Sequence, residues 1–188
     1  MNQRPTQPLA MGVDQQTTLC ISLSGSPSDH GVRFHNWLYR ELGLNFIYKP
    51  IRPLDITAAV AGIRGLAIHG AGISMPYKKE VIDLIDHLDT SASTIEAVNT
   101  IVNDGGELTG FNTDVTAVAQ LLRHHRIDPA LSVAVRGSGG MANAVVAALA
   151  DYGMTGTVVA RNHVTGTTLA NRHDWGFPAP CPREPRCW

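Results

Sequence analysis

A chain of 188 residues is long enough for one large domain or two small ones. With 44% hydrophobic and 16% charged residues it has the balance of a folded globular protein, which excludes a disordered tail. Fifteen basic residues against sixteen acidic ones give a formal net charge of -1, which excludes a general attraction to nucleic acid or to a membrane surface. Any anion site must therefore be local.

In chain order, residues 1–17 are polar, contain two prolines and show no periodicity, so they read as a flexible leader. The run LCISLS (19–24) before the turn cluster GSPSD predicts a strand. Phe34, Trp37, Leu38 and Leu42 fall at helical spacing and predict a helix over 31–42. Phe46, Ile47 and Tyr48 predict a second strand, closed by Pro50 and Pro53. Asp55 is placed to cap a helix running through Ala59 and Val60, and Leu66-Ala67-Ile68 reads as a third strand. Pro76 predicts a helix start, with Val81, Ile82, Leu84, Ile85 and Leu88 as its apolar face. Asn103-Asp104-Gly105-Gly106 between Ile101-Val102 and Leu108 predicts a hairpin. Thr113 or Asp114 is expected to cap the next helix, through Leu121 and Leu122. A change of pattern near Asp128-Pro129 suggests a domain boundary within 112–130, after which strand, glycine turn, Ala/Val-rich helix (141–152), strand and helix follow. Strands alternating with helices predict an α/β fold.

Cysteines and histidines add little. Cys20 sits in an apolar stretch and reads as a small buried hydrophobe, and Cys181 can bridge to Cys187. The eight histidines are scattered, and the adjacent His124-His125 would point about 100° apart on a helix, so no metal site is expected. The first ten residues lack the apolar core of a signal peptide. The most apolar stretch, 58–73, is interrupted by Arg64 and His69. A cytoplasmic protein without a membrane span is expected.

The chemistry starts at Gly137-Ser138-Gly139-Gly140-Met141-Ala142, a GxGxxA pattern closely following the apolar run Val133-Ala134-Val135 and opening a helix. In such a loop Gly137 makes the tight turn, Gly139 lets backbone approach a pyrophosphate, and Ala142 permits close helix–strand packing. The helix start presents N–H groups to the phosphates. The next strand ends at Ala160-Arg161-Asn162, where an NAD site would place an acid for the ribose 2′-OH; Arg161 can instead pair with a 2′-phosphate, so NADP is the expected cofactor.

Four further patterns precede this loop: SLSGSPS (22–28), SMPYKKE (74–80), EAVNTIV (96–102) and GFNTD (110–114). In order and spacing, over roughly residues 18–170, they resemble the shikimate dehydrogenase family, particularly its shikimate-dehydrogenase-like branch. The resemblance implies an α/β substrate-binding catalytic domain (18–112) followed by a Rossmann-like doubly wound NADP-binding domain (113–177). It implies NADPH-dependent, reversible reduction of 3-dehydroshikimate to shikimate, or reaction of a quinate-like cyclic hydroxy acid, and a homodimer. Lys78 matches the catalytic lysine, Asp114 its partner aspartate, and Asn99 the substrate-binding asparagine. Such a lysine can stabilise the charge that hydride transfer builds on the carbonyl oxygen and can supply its proton.

Two departures accompany the match. The family's Ser-x-Ser pair for the substrate carboxylate has no counterpart just before His35-Asn36, which leaves Ser22, Ser24 and Ser28 as candidates. Gly72 stands where an asparagine is expected. Only part of the dinucleotide fold is expected in this chain, with an irregular tail over 178–188 and without the family's C-terminal segment, so a non-catalytic remnant that binds nucleotide is the alternative reading.

Overall fold

The computed structural model describes residues 12–178, so the Cys181–Cys187 pairing, the tail and most of the leader lie outside the described residues. Six strands form one sheet in the order β2-β1-β3-β5-β6-β4, and two form a second, β7-β8. The elements of the first are β1 (Thr18–Leu23), β2 (Phe46–Ile51), β3 (Gly70–Ile73), β4 (His87–Leu88), β5 (Thr100–Asp104) and β6 (Glu107–Phe111). Helices α1 (Asp29–Glu41), α2 (Ile56–Gly65) and α3 (Thr90–Ser93) intervene, followed by α4 (Thr113–His124), β7 (Ser132–Arg136), α5 (Gly140–Asp151), β8 (Thr155–Val159) and α6 (His163–Arg172). This is an α/β fold. The chain divides into two compact units, one running to His87 with Thr100–Thr109, the other taking Leu88–Asn99 and the chain from Gly110.

In the first unit β1 runs parallel to β2 and β3, and β3 runs antiparallel to β5. Ile21, Leu23, Ala71, Ile73 and Ile101 are buried, as are Val60 and Ile63 of α2. Asp55 caps α2 as expected, its carboxylate accepting from the N–H groups of Thr57 at 2.8 Å and Ala58 at 3.1 Å. The hairpin also forms as expected, turning at Gly105-Gly106. Its Asn103 amide donates to the carbonyls of Ile63 and Ile68 and accepts from Gly106 N–H, which ties the turn to the end of α2.

Four expectations from the sequence are corrected. Strand β2 does not stop before Pro50 but runs through it to Ile51; as the end strand in the described sheet order, β2 tolerates a residue without an N–H. Leu66-Ala67-Ile68 is not a strand. It is the end of α2, where Ala67 takes a left-handed conformation (φ 50°) and Ile68 N–H closes on the Ile63 carbonyl at 3.0 Å. The strand is Gly70–Ile73, whose small residues give no β signal. The segment after Pro76 is no long α-helix but a turn and a short 3-10 helix, Glu80–Leu84. Helix α1 buries none of its residues, and Phe34 and Trp37 are exposed. It lies on β2 through another face: His35 stacks on Tyr48 with ring centroids 4.3 Å apart, Tyr39 meets Phe46, and the Asn36 amide pairs with the Tyr48 backbone in both directions at 2.9 Å. Finally, Cys20, read as a buried hydrophobe, is only half-buried, and burial there raises its thiol pKa above the ordinary value.

Arg64, at the end of α2, fastens this unit. Its guanidinium donates to both carboxylate oxygens of Asp86 and to the carbonyls of Leu84 and Gly106, while Asp86 also accepts from Leu108 N–H at 2.7 Å. The Arg64 hydrogen bond, followed by the Leu108 N–H, holds the Asp86 carboxyl below its usual value. A depressed folded pKa contributes stability that is complete above the unfolded aspartate value of about 3.9 and is lost as pH falls through the folded one. Thermal melts of the wild type and Asp86→Asn should therefore differ at neutral pH and converge in acid; a pH-independent difference would contradict this role.

In the second unit β7 and β8 are parallel, with Gly176 bridging to the far side of Thr157. The helix α5 buries Ala142, Val146 and Leu149 against Val158, Leu169 and Trp175, and its other side, Ala144 and Ala147, against Ile95 and Ala97. Among the described residues no helix is long and apolar enough to cross a membrane.

Candidate functional site

The glycine loop folds as the sequence predicts. Strand β7 ends at Arg136, and Gly137 takes φ 120°, a backbone that side-chain-bearing residues rarely adopt, while its N–H continues the ladder to the Val159 carbonyl at 2.8 Å. Gly139 then starts α5, with Gly140 and Met141 in the first turn. Ala142 is buried, its Cβ 3.7 Å from where a Cβ on Gly137 would stand, so a small residue lets helix and loop approach. Cβ atoms built on Gly139 or Gly140 would meet open space, room that no protein atom claims. Sequence reasoning missed Asn143. Its amide donates to the carbonyls of Ser138 at 3.2 Å and Gly139 at 2.9 Å, which turns the loop carbonyls toward the helix.

Across from the loop, β8 delivers Ala160, Arg161 and Asn162. These three line a cavity of about 650 Å³ together with Gly137, Ser138 and Gly139. Asn162 caps α6 by accepting from Thr165 N–H at 3.1 Å, which fixes the turn that carries Arg161. A donor-rich corner with a guanidinium and a glycine loop at the carboxyl ends of parallel strands fits a phosphate-bearing dinucleotide.

Also in the second unit, Asn99 and Asp114 come near one another at the start of α4. The cap there is Asn112, not Thr113 or Asp114. Its side-chain oxygen accepts from Asp114 N–H at 3.1 Å and Val115 N–H at 3.4 Å, and its amide donates to the buried Ala97 carbonyl at 2.9 Å. Asn99 accepts from Thr113 N–H at 2.9 Å and donates to the Thr113 hydroxyl at 3.0 Å, so its amide is held against the first turn that carries Asp114.

The remaining candidates belong to the first unit. Ser22 lies on β1, level with Gly72 of β3, which is level with Thr100 of β5. Ser24 is buried just beyond β1 and accepts from Ser26 N–H at 3.1 Å. Ser28 stands exposed before α1 and makes no side-chain cap. Lys78 follows the cis Met75–Pro76 peptide in the turn before the 3-10 helix. That turn abuts the Ser24-Gly25 loop: Gly25 N–H donates to the Met75 carbonyl at 3.0 Å, and Ser74 N–H donates to Leu23 at 2.9 Å.

Tyr48 is the residue here that sequence reasoning left as an ordinary strand residue. A Cβ on Gly72 would stand 3.0 Å from the Tyr48 hydroxyl and 3.5 Å from Ser22 Cβ, so the phenol reaches the face that carries Ser22. The signal was available in Gly72, whose missing side chain makes that room.

Residues 21–101 match the shikimate dehydrogenase substrate binding domain. A shikimate dehydrogenase-like protein of Haemophilus influenzae is 45% identical over 166 residues, covering 88% of this chain and 61% of that protein. A solved shikimate 5-dehydrogenase-like protein superposes with a TM-score of 0.87 at 43% identity, over 92% of this chain and 65% of the other. The shikimate 5-dehydrogenase of Thermus thermophilus, solved in complex with NADP(H) and shikimate, superposes with a TM-score of 0.77 at 25% identity, over 86% of this chain and 63% of the other. The chain thus spans about three-fifths of the length of the relatives it matches. The substrate-domain match, the glycine loop and this extent of identity together make the chain similar to shikimate dehydrogenases and shikimate dehydrogenase-like proteins.

Proposed function

We propose that the protein is an NADP-dependent oxidoreductase that interconverts 3-dehydroshikimate and shikimate, or a closely related cyclic hydroxy acid, in the cytoplasm. The observation that carries the cofactor is the cavity shared by the glycine loop and Arg161. A guanidinium there favours a 2′-phosphate, whereas NAD sites place a carboxylate for the ribose hydroxyl. The glycine-loop N–H groups and the start of α5 bind the pyrophosphate, and Met141 covers the first helical turn beside it. The substrate class is supported by the relatives, among them the enzyme solved with NADP(H) and shikimate.

A nicotinamide cofactor held by the glycine loop and Arg161 would supply hydride chemistry at the carbon that bears the reacting oxygen. Lys78 holds that oxygen and moves its proton, with Asp114 orienting lysine and hydroxyl. Asn99 binds ring hydroxyls, for which an amide offers both donor and acceptor. Ser22 and Ser24 receive the carboxylate, joined by the Tyr48 hydroxyl on the Ser22 face; exposed Ser28 is the weaker third candidate.

Steady-state assays of the 188-residue chain with shikimate and with quinate, each with NADP+ and with NAD+, test this reading. Nicotinamide reduction with shikimate and NADP+ as the best pair is expected. A folded protein that binds NADP+ yet turns over neither acid would leave nucleotide binding alone.

A further inference from the structure

Ser138 and Thr165 lie 27 positions apart, the first in the glycine loop and the second in the first turn of α6, yet their hydroxyl oxygens stand 2.7 Å apart. That separation is a short hydroxyl–hydroxyl bond. It ties the loop to the turn after β8, where Asn162 already holds Thr165 N–H and Arg161 projects beside the same cavity. Among the described residues the Thr165 hydroxyl otherwise reaches the Asn162 carbonyl, at 3.5 Å, the outer limit for such a bond. When Ser138 donates to Thr165, the Thr165 proton is left with that long contact. An anionic oxygen placed closer would take it.

We propose that the Ser138–Thr165 hydroxyl pair is a second arm of the 2′-phosphate site and a determinant of NADP over NAD. The proposal rests on the nucleotide reading above and deepens it. Arg161 supplies charge, and Thr165 supplies an O–H whose direction Ser138 sets. A phosphate dianion offers only acceptors, so a corner built of donors suits it. A ribose 2′-hydroxyl instead wants a carboxylate acceptor, and no Asp or Glu is among the six residues lining this cavity. If the pair were only a structural tie between loop and helix, its loss would weaken both cofactors alike.

Calorimetric titration of NADP+ and NAD+ into the full chain separates these cases. Thr165→Val should weaken NADP+ by about tenfold to a hundredfold, the worth of one hydrogen bond to a charged group, and leave NAD+ unchanged. Thr165→Ser, which keeps the hydroxyl, should bind NADP+ like the wild type, and Ser138→Ala should lose part of the preference. Parallel weakening of both cofactors, or unchanged NADP+ binding in Thr165→Val, overturns the proposal while a wild type that prefers NADP+ leaves the cofactor reading standing. A folded wild type that binds neither cofactor overturns both.

Discussion

On the proposed function, Lys78→Ala should lower turnover of shikimate by about 10²–10⁴-fold, the usual worth of a positioned proton donor, while NADP+ binding and the melting temperature should stay close to wild type. The site of Lys78 makes this separation clean. It lies in the turn before the 3-10 helix and is not one of the buried core residues, among them Ile21, Leu23, Ile73 and Val81. The alternative is a solvated lysine beside Lys79 without a catalytic role. Under that explanation Lys78→Ala and Lys79→Ala would behave alike, and neither would change kcat. A large loss confined to Lys78 excludes it. On the proposed roles, Asp114→Asn should follow Lys78→Ala in direction.

The second large effect is on stability. Asn112 is 1% exposed and is engaged at both ends of its amide, capping α4 with its oxygen and holding the Ala97 carbonyl with its nitrogen. Asn112→Ala removes a cap and strands a buried carbonyl, a combined loss of about 3 kcal/mol. For a protein of this size that corresponds to roughly 6–12 °C in melting temperature. Asn112→Asp keeps the capping oxygen and loses the donor to Ala97, so it should fall between alanine and wild type. An Asn112→Ala melt within a degree or so of wild type would show that neither bond matters. Because α4 also carries Asp114 in its first turn, the alanine variant should lose activity together with stability, unlike Lys78→Ala.

The sequence disclosed those parts of the fold that depend on local chemistry. Gly137 to Ala142 could be read because each position has a separate steric task, and Asp55 because a carboxylate before an apolar helix has few other uses. Gly105-Gly106 between two β-rich runs left little but a hairpin. Harder to see were elements set by neighbours. Gly70–Ile73 is a strand because β1 and β5 flank it, and its own Gly-Ala-Gly has no β preference. Leu66-Ala67-Ile68 has that preference but is held in the helix end by its hydrogen bonds to Ile63 and Arg64. On α1 the apolar periodicity marked Phe34 and Trp37, whereas His35, Asn36 and Tyr39 make the contacts with β2, through stacking and an amide clamp that hydrophobic spacing cannot reveal.

The site divides in the same way. Arg161, the glycine loop, Lys78, Asn99 and Asp114 stood out in motifs. Tyr48, Asn143 and Thr165 did not, because each acts through a partner distant in sequence: Tyr48 over Gly72, Asn143 on the loop carbonyls, Thr165 on Ser138. Asn112 was overlooked for a simpler reason. Thr113 and Asp114 are equally good capping residues, and only the observed hydrogen bonds choose among three neighbours.

The most direct test of the central claim follows the hydride itself. The purified chain is incubated with NADPH carrying deuterium at the transferable position and with 3-dehydroshikimate, and the product is examined by mass spectrometry. The account predicts shikimate that has gained the deuterium at its new carbinol carbon, with none formed by Lys78→Ala. Absence of labelled product from a folded protein that binds NADPH would contradict it.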